Sequence, residues 1–158
     1  MTPALVLFLA FLIGVVGGLR SLTPPAVVAW AAHRGWIHLD GTPLHFMAST
    51  AAVVIFILLA IVELVADKLP SAPSRTQPPG LIARVVLGAL CGAALAISGA
   101  QSAALGALLG TAGGVAGAFG GYQVRTRLVK ALKIPDFVVA ILEDAAAICA
   151  AFFLVSRF

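Results

Sequence analysis

Four acidic side chains, Glu63, Asp67, Glu143 and Asp144, lie within or at the end of apolar stretches of this sequence. A charge near the middle of a membrane span costs about 2.5–3.5 kcal/mol on insertion scales, so such residues usually face a bundle interior or a cavity. Desolvation raises the pKa of a carboxyl group, whereas an arginine beside it lowers that pKa. We predict that these four residues couple protons or gate a pathway, and a structural ion-pair network is the alternative.

The spacing of the acidic residues indicates which way they face. Glu63 and Asp67 are four residues apart and therefore share a helix face. Glu143 lies about two helical turns into the last apolar stretch, on a face shared with Ala140, Ala147 and Ala150. We expect Glu143 to point at a neighbouring helix and to pair with an arginine, with three candidates: Arg84, Arg125 and Arg127.

Six residues are predicted to bind a substrate: Arg20, Ser21, Thr23, Arg84, Arg125 and Arg127. The turn at Arg20 offers a guanidinium and the hydroxyls of Ser21 and Thr23. A helix beginning at Pro24 would add backbone N–H donors, and arginine binds anionic groups in a bidentate manner. A simple helix-capping turn is the alternative interpretation.

The remaining polar groups indicate no metal and no cofactor. His33, His38 and His45 share one loop with Asp40, but their spacing matches no common metal motif, so we expect ordinary loop or interfacial histidines. The sequence contains no Gly-x-Ser-x-Gly, P-loop or metalloprotease motif. An enzyme that modifies lipid headgroups is therefore less favoured than a protein without catalytic activity.

The elements that position these residues are predicted to be membrane helices. The 158 residues are 61% hydrophobic and 10% charged, against about 45–50% and about 25% in soluble domains. A spanning helix needs roughly 20 mostly apolar residues. We predict one all-α membrane domain over residues 1–158, a bundle with five spans: Pro3 to about Leu22, Phe46 to about Val65, Leu81 to Ser98, Ala103 to about Tyr122, and Phe137 to Val155.

The stretch from Thr23 to Trp36 is apolar but too short to cross a membrane. Thr23 is a suitable helix cap, and Pro24 and Pro25 suit a first helical turn. Two structures fit these signals, a helix in the membrane interface and a re-entrant helix buried in protein.

The positions of the basic residues predict an orientation. With five spans, seven of the ten Lys and Arg residues fall on the side of the N-terminus: Lys68, Arg75, Arg84, Arg125, Arg127, Lys130 and Lys133. The side richer in Lys and Arg is normally cytoplasmic. We therefore predict a protein of the bacterial inner membrane with a cytoplasmic N-terminus and an external C-terminus.

Glycines recur at helical spacing in three of the predicted spans. The sets are Gly14 and Gly18, Gly88 and Gly92, and Gly106, Gly110 and Gly114, with Gly113, Gly117 and Gly121 beside the last. Small residues at this spacing let helix backbones approach closely. Packing within one chain is the simplest interpretation, and a homo-oligomer or a sliding surface is the alternative.

Two short stretches, residues 20–25 and 74–79, are similar in sequence, and each precedes an apolar segment. The five-span topology puts them on opposite sides of the membrane. Such a pair is expected of an inverted repeat, an arrangement found in many transporters.

Three stretches carry a resemblance to a known family. Residues 18–25, the Glu-x-x-x-Asp-Lys-x-Pro motif over residues 63–70, and residues 142–145 resemble an uncharacterised family of small bacterial membrane proteins, domain of unknown function 4126. The resemblance implies a bacterial membrane protein and brings no assigned chemistry.

From the residues themselves, the favoured function is a small transporter or permease for an anionic or lipid-linked substrate, coupled to protons through its intramembrane carboxylates. The alternative is a scaffold or lipid-binding protein that transports nothing. In both cases the expected partners are membrane lipids rather than nucleic acid.

Overall fold

The computed structural model describes residues 1–67, 77–132 and 135–158. Within these residues the chain forms six α-helices and one short 3₁₀ helix. They are α1 (Pro3–Leu19), α2 (Thr23–His33), the 3₁₀ helix (Pro43–Ala48), α3 (Thr50–Ala66), α4 (Pro78–Ser98), α5 (Ala103–Leu132) and α6 (Asp136–Val155). The described residues contain no β-strand, which confirms the predicted all-α class.

Three of the described helices, α4, α5 and α6, are long and apolar enough to cross a membrane. The helices α1 and α3 are also apolar but have 17 residues each, which is about 25 Å at the usual helical rise. This is slightly less than the roughly 30 Å of a hydrocarbon core. The helices indicate a membrane protein, with three candidate spans where the sequence predicted five.

Local signals move several of the predicted helix ends. The first helix stops at Leu19 because Arg20 is extended, with φ −138° and ψ 111°. The second predicted span begins at Thr50 instead of Phe46, since the 3₁₀ helix precedes it and the Ser49 hydroxyl caps it by accepting the N–H of Ala52 at 3.1 Å. By contrast, α5 is longer than predicted, since it continues past Tyr122 to Leu132.

Close packing of glycines joins α1, α4 and α5, which we call the glycine core. Gly106, Gly110 and Gly114 of α5 face α4, where a Cβ atom added to Gly114 would lie 2.8 Å from the carbonyl oxygen of Arg84. Gly113 and Gly117 of α5 face α1 instead. The prediction that Gly110 and Gly114 bring helix backbones together is confirmed. An oligomer through the same glycine faces would have to displace these contacts.

The helices α2, α3 and α6 lie outside the glycine core, and we call them the outer layer. An aromatic contact joins two of them, since the rings of Trp30 in α2 and Phe152 in α6 are 5.3 Å apart. Only Ala52 and Ala60 are buried on α3. Its other faces carry exposed apolar side chains such as Ile55, Leu58 and Val62, as expected of a helix that faces lipid.

The helix α2 lies inside the bundle. It has 11 residues, and nine of them, including Thr23, are buried. Backbone next to its start binds Glu63 near the end of α3, whereas His33 at its end contacts the carbonyl oxygen of Ala48 just before α3 begins. The chain therefore turns back at Arg20 inside the bundle, and α2 is buried in protein, as the re-entrant interpretation of the segment from Thr23 to Trp36 requires.

The contacts between helices fix their directions. Gly18 lies beside Arg84, and Val6 beside Gly99, so α1 and α4 are antiparallel. Gly14 lies beside Gly110 and Gly18 beside Gly114, so α1 and α5 are parallel. Because α6 returns antiparallel to α5, its last residue lies at the same end of the bundle as the first residue of α1.

The prediction that the two termini lie on opposite sides is therefore wrong, because α2 returns the chain before α3 begins. The opposite end of the bundle, where α5 ends, carries Arg125, Arg127 and Lys130, and we call it the basic end. Lys68, Arg75 and Lys133, which also entered the charge count, lie outside the described residues.

The two similar stretches do not form an inverted repeat. The helices that follow them, α2 and α4, both start toward the basic end and run in the same direction. At their far ends they remain neighbours, since the N–H of His38, shortly after α2, donates to the Ser98 hydroxyl at 3.0 Å. An inverted repeat requires opposite directions. Of the second stretch, residues 74–76 lie outside the described residues.

Candidate functional site

Arg20 lies at the centre of a cluster of charged side chains. It follows the last residue of α1, and its side chain is fully buried. Its guanidinium forms ion pairs with Asp67 at the end of α3 and with Asp144 of α6, the latter with Nε 2.5 Å from Oδ1. Its Nη2 lies 3.9 Å from Oε2 of Glu143. A buried guanidinium is tolerated only when it is paired, so these carboxylates hold α3 and α6 against the end of α1.

Glu63 of α3 binds the turn between α1 and α2. Its carboxylate accepts the backbone N–H groups of Ser21 and Leu22, both at 2.8 Å, and the Ser21 hydroxyl at 2.6 Å. The start of a helix attracts an anion through its free N–H groups and its dipole. The anion-binding turn that the sequence predicted is thus filled by a carboxylate of the same chain.

Arg84 connects the glycine core to this turn. Its Nε donates to the carbonyl oxygen of Gly18 at 3.0 Å, and its Nη1 donates to that of Gly80 at 2.9 Å. Its Nη2 is 4.0 Å from Oε1 of Glu63. Arg84 is buried. Its positive charge lies beside the start of α2, where the Glu63 carboxylate is bound.

Arg125 forms the second half of the cluster, nearer the basic end. It holds Asp136 in a bidentate pair, with Nε to Oδ1 at 2.9 Å and Nη2 to Oδ2 at 2.5 Å. Its Nη1 is 3.5 Å from Oε2 of Glu143, the same oxygen that faces Arg20. Glu143 therefore lies between a fully buried arginine and one that is nearer the surface.

The opposite charges of the cluster are carried by different groups of helices. The three arginines belong to the glycine core, at the end of α1 and on α4 and α5. The five carboxylates belong to α3 and α6 of the outer layer: Glu63, Asp67, Asp136, Glu143 and Asp144. Ion pairs thus join the outer layer to the glycine core, and protonation of their carboxylates would weaken that contact.

A groove of about 460 Å³ opens beside the cluster, between α5 and α6 with α1 as its floor. Most of its lining is apolar, including Val15, Leu19 and Leu142, while Arg125 and Glu143 are its charged residues. Gly120 of α5 also lines it, and a Cβ atom added there would meet nothing within 4 Å. The groove has a volume typical of small-molecule sites and an apolar wall suited to a hydrocarbon chain.

The structure brings together most of the residues that the sequence analysis singled out. Eight of them form the cluster: Arg20, Ser21, Glu63, Asp67, Arg84, Arg125, Glu143 and Asp144. Thr23 is buried in the first turn of α2. Arg127 is exposed on α5, and the ion pairs found among the described residues do not include it. The expectation that an arginine lies beside Glu143 is confirmed, with Arg125 at 3.5 Å, but Glu143 is only partly buried because it borders the groove.

Sequence reasoning missed two relationships in the cluster. It put Arg20 on the opposite side of the membrane from the acidic residues, since it did not foresee that α2 returns. It also overlooked Asp136, which stands in the first turn of α6. An acidic residue that opens one helix shortly after a basic helix end is a signal that would have found this pair.

Comparison with known families gives one match. The family described as domain of unknown function (DUF4126) matches residues 7–156, which include the whole charged cluster and the groove. No curated protein and no solved structure matches the chain.

Proposed function

The chain belongs to the family described as domain of unknown function (DUF4126), and from its charged cluster and groove we propose that it is a small membrane transporter of a lipid-linked substrate, coupled to protons. The sequence left anionic and lipid-linked substrates open. The geometry favours the second class, because Arg20, Arg84 and Arg125 all face carboxylates of the same chain and the adjoining groove is mainly apolar.

The observation that carries the proposal is the position of Glu143. One carboxylate oxygen faces Arg20 in the buried cluster at 3.9 Å and Arg125 beside the groove at 3.5 Å. A proton on Glu143 would weaken both contacts at once. The boundary between α6 and the glycine core would loosen where the groove lies, so proton binding and groove opening would be linked.

Linkage runs in both directions. A phosphate group at the end of the groove would compete with Glu143 for Arg125, and the displaced carboxylate would take up a proton more readily. In this scheme Glu63, Asp67 and Asp144 share the proton-coupling role with Glu143. Arg125 binds the substrate, and Arg127 attracts it to the basic end.

The proposed topology has four spans, α3 to α6, and a re-entrant pair formed by α1 and α2, which enters from one side, turns at Arg20 and returns to that side. With 17 residues, α3 reaches across the bilayer with slight local thinning and joins α4, α5 and α6. The positive-inside rule favours a cytoplasmic location for the basic end in a bacterial inner membrane. Both termini would then lie outside, which reverses the N-terminal orientation predicted from the sequence.

Cysteine labelling tests this topology. In a Cys149→Ser background, in which the remaining Cys91 is buried, single cysteines replace Thr2, Lys130 or Arg157. A thiol reagent that does not cross membranes should label positions 2 and 157 from outside intact cells and should label position 130 only after lysis. Labelling of position 130 alone would reverse the orientation, and labelling of only one terminus would contradict the shared side.

A scaffold or lipid-binding protein that transports nothing is the second candidate. The glycine core supports it, because backbones in contact leave little room for α1, α4 and α5 to move against one another. The two candidates differ in one respect: the transporter must move its outer layer when Glu143 takes up a proton.

The test uses purified protein in liposomes that contain a phospholipid with a fluorescent acyl chain. Transport predicts protein-dependent movement of the probe between leaflets, increased by an imposed pH gradient. The Glu143→Gln variant should fold and should lose the response to the gradient, because it keeps the side-chain shape but cannot titrate. Asp40→Asn, the same carboxylate-to-amide exchange at a side chain that is 84% exposed, is the matched control and should keep the response.

The outcomes separate the candidates. No movement of the probe above that in protein-free liposomes favours the non-transporting protein. Proton coupling through Glu143 would be rejected if the rate of probe movement did not change with the pH gradient, or if the Glu143→Gln variant still responded to it.

A further inference from the structure

From the groove and its charged end we infer that the protein binds a phospholipid with a zwitterionic phosphoethanolamine headgroup. One acyl chain would lie along α5 and α6. The headgroup phosphate would contact Arg125, and its ammonium group would contact Asp136 and Glu143. This inference deepens the proposed function by naming the lipid, and lipid binding is measured below without any transport.

The groove matches a membrane lipid in depth. Arg125 stands 22 residues after Ala103, the first residue of α5, which is about 33 Å along the helix. That distance is close to the roughly 30 Å thickness of a hydrocarbon core. The charged end of the groove therefore falls at headgroup level, while Gly117 and Gly120, nearer the middle of α5, line the part that reaches acyl chains.

The shape of the groove suits one hydrocarbon chain. Its walls come from apolar side chains of α5 and α6, and its floor comes from Val15 and Leu19 of α1. Gly120 widens the groove without serving helix packing, since a Cβ atom there meets nothing. In this it differs from Gly117, where an added Cβ atom would collide with the backbone of Val15.

The charges at the end of the groove select the headgroup. Arg125 and Asp136 form a bidentate pair, and their side chains are 18% and 61% exposed, so both can be reached from the headgroup region. An anionic headgroup competes for the arginine and leaves Asp136 beside added negative charge. A zwitterionic headgroup offers a partner to each member of the pair, and a primary ammonium also donates hydrogen bonds that a quaternary ammonium cannot.

The experiment is native mass spectrometry of delipidated protein titrated with phosphatidylethanolamine, phosphatidylglycerol or phosphatidylcholine of matched acyl chains. The expected result is about tenfold tighter binding of phosphatidylethanolamine than of the other two, a difference of about 1.4 kcal/mol. Gly120→Leu should remove that binding by filling the groove. Ala104→Leu, a similar enlargement at an exposed position of the same helix, should leave it unchanged.

A second variant tests the headgroup contacts. Asp136→Asn should reduce the preference for phosphatidylethanolamine over phosphatidylglycerol, because the ammonium loses a carboxylate while the phosphate keeps Arg125. Equal binding of the three lipids would overturn the inference, and so would tight binding that survives Gly120→Leu. The melting temperature of lipid-free Gly120→Leu should match that of the wild type, which shows that the variant is folded.

The inference and the proposed function fail in different ways. Selective binding without movement of the fluorescent probe would keep the lipid site and reject the transporter. Proton-coupled movement of the probe without selective binding would keep the transporter and reject the lipid site.

Discussion

The glycine core and the outer layer are held in place by different interactions. In the glycine core, Gly110 and Gly114 bring α5 against the backbone of α4 without any charge. In the outer layer, α3 and α6 are tied to Arg20, Arg84 and Arg125 through carboxylates. Contacts between backbones do not depend on pH, whereas an ion pair depends on the ionisation of both partners.

This difference divides the molecule into a part held together without charges and a part held by ion pairs. Within a membrane, lipid tails give helices no hydrophobic reason to associate, so close packing and polar contacts carry the association. Glycine contacts join α1, α4 and α5, whereas α3 and α6 add ion pairs to their apolar contacts, such as that of Phe152 with Trp30. Substitutions in the two regions should therefore differ in how their effects depend on pH and salt.

The largest effect is expected from Arg20→Met, which removes the fully buried cation of the cluster. Asp67, Glu143 and Asp144 would lose an ion-pair partner, and breaking a buried pair from one side costs about 3–5 kcal/mol. The loss of stability relative to the wild type should shrink as pH falls. Protonation removes the unpaired negative charges of the variant, whereas in the wild type it weakens the ion pairs. Melting temperatures of both proteins in detergent at about pH 8 and about pH 5 measure this.

Arg127→Met is the control for this substitution, since it removes an exposed arginine and should change the melting temperature little. A deficit of Arg20→Met that stays constant between the two pH values would contradict the division of the molecule into two regions.

Gly110→Leu should destabilise the protein by about 3 kcal/mol, toward the upper end of the range for overpacking. Its side chain would meet backbone atoms of Gly88 and Gly92 in α4, which cannot rotate away as a side chain does. The loss should be the same at both pH values, because none of these contacts involves a charge. Ala104→Leu on the exposed face of α5 controls for the added volume, and a pH-dependent loss would place Gly110 in the part held by ion pairs.

How much of this arrangement the sequence predicts differs between the two regions. The spacing of Gly106, Gly110 and Gly114 predicts close helix contact because a four-residue period is a property of one helix. The direction of α2 cannot be read in this way. Its 11 residues suit an interfacial and a re-entrant helix equally, and its burial depends on contacts with α3 and α6, which are distant in sequence.

The charged cluster was predictable as a set of residues but not as a set of pairs. The cost of placing Glu143 in an apolar stretch correctly predicted a neighbouring arginine. The partners of Arg20 depend on the return of α2, and the wrong topology placed that arginine across the membrane. Pairing needs the three-dimensional path of the chain, whereas burial follows from the apolar neighbours along it.

Glu63→Gln should cost less than Arg20→Met, about 1–3 kcal/mol, the range for losing charge-assisted hydrogen bonds. The amide oxygen can still accept from the turn, but the NH₂ group faces donors where a carboxylate oxygen accepted the N–H of Ser21 or Leu22. Denaturant or thermal unfolding measures the loss. Hydrogen exchange at the start of α2 locates it, and unchanged exchange there would show that Glu63 does not hold the turn.

The smallest effect is expected from Asp136→Asn, at the edge of the cluster. Asp136 is 61% exposed, and its partner Arg125 keeps a contact with Glu143 at 3.5 Å. Exposed ion pairs contribute about 0.2–1 kcal/mol and are weakened by salt. The loss of stability should therefore be close to 0.5 kcal/mol at low salt and should vanish at about 1 M salt, where the screening length is about 3 Å.

The loss of stability in Arg20→Met should persist in the same salt, since ions do not reach a fully buried guanidinium. If both deficits vanished together, the buried half of the cluster would be open to solvent, and the boundary between the glycine core and the outer layer would lie within reach of water.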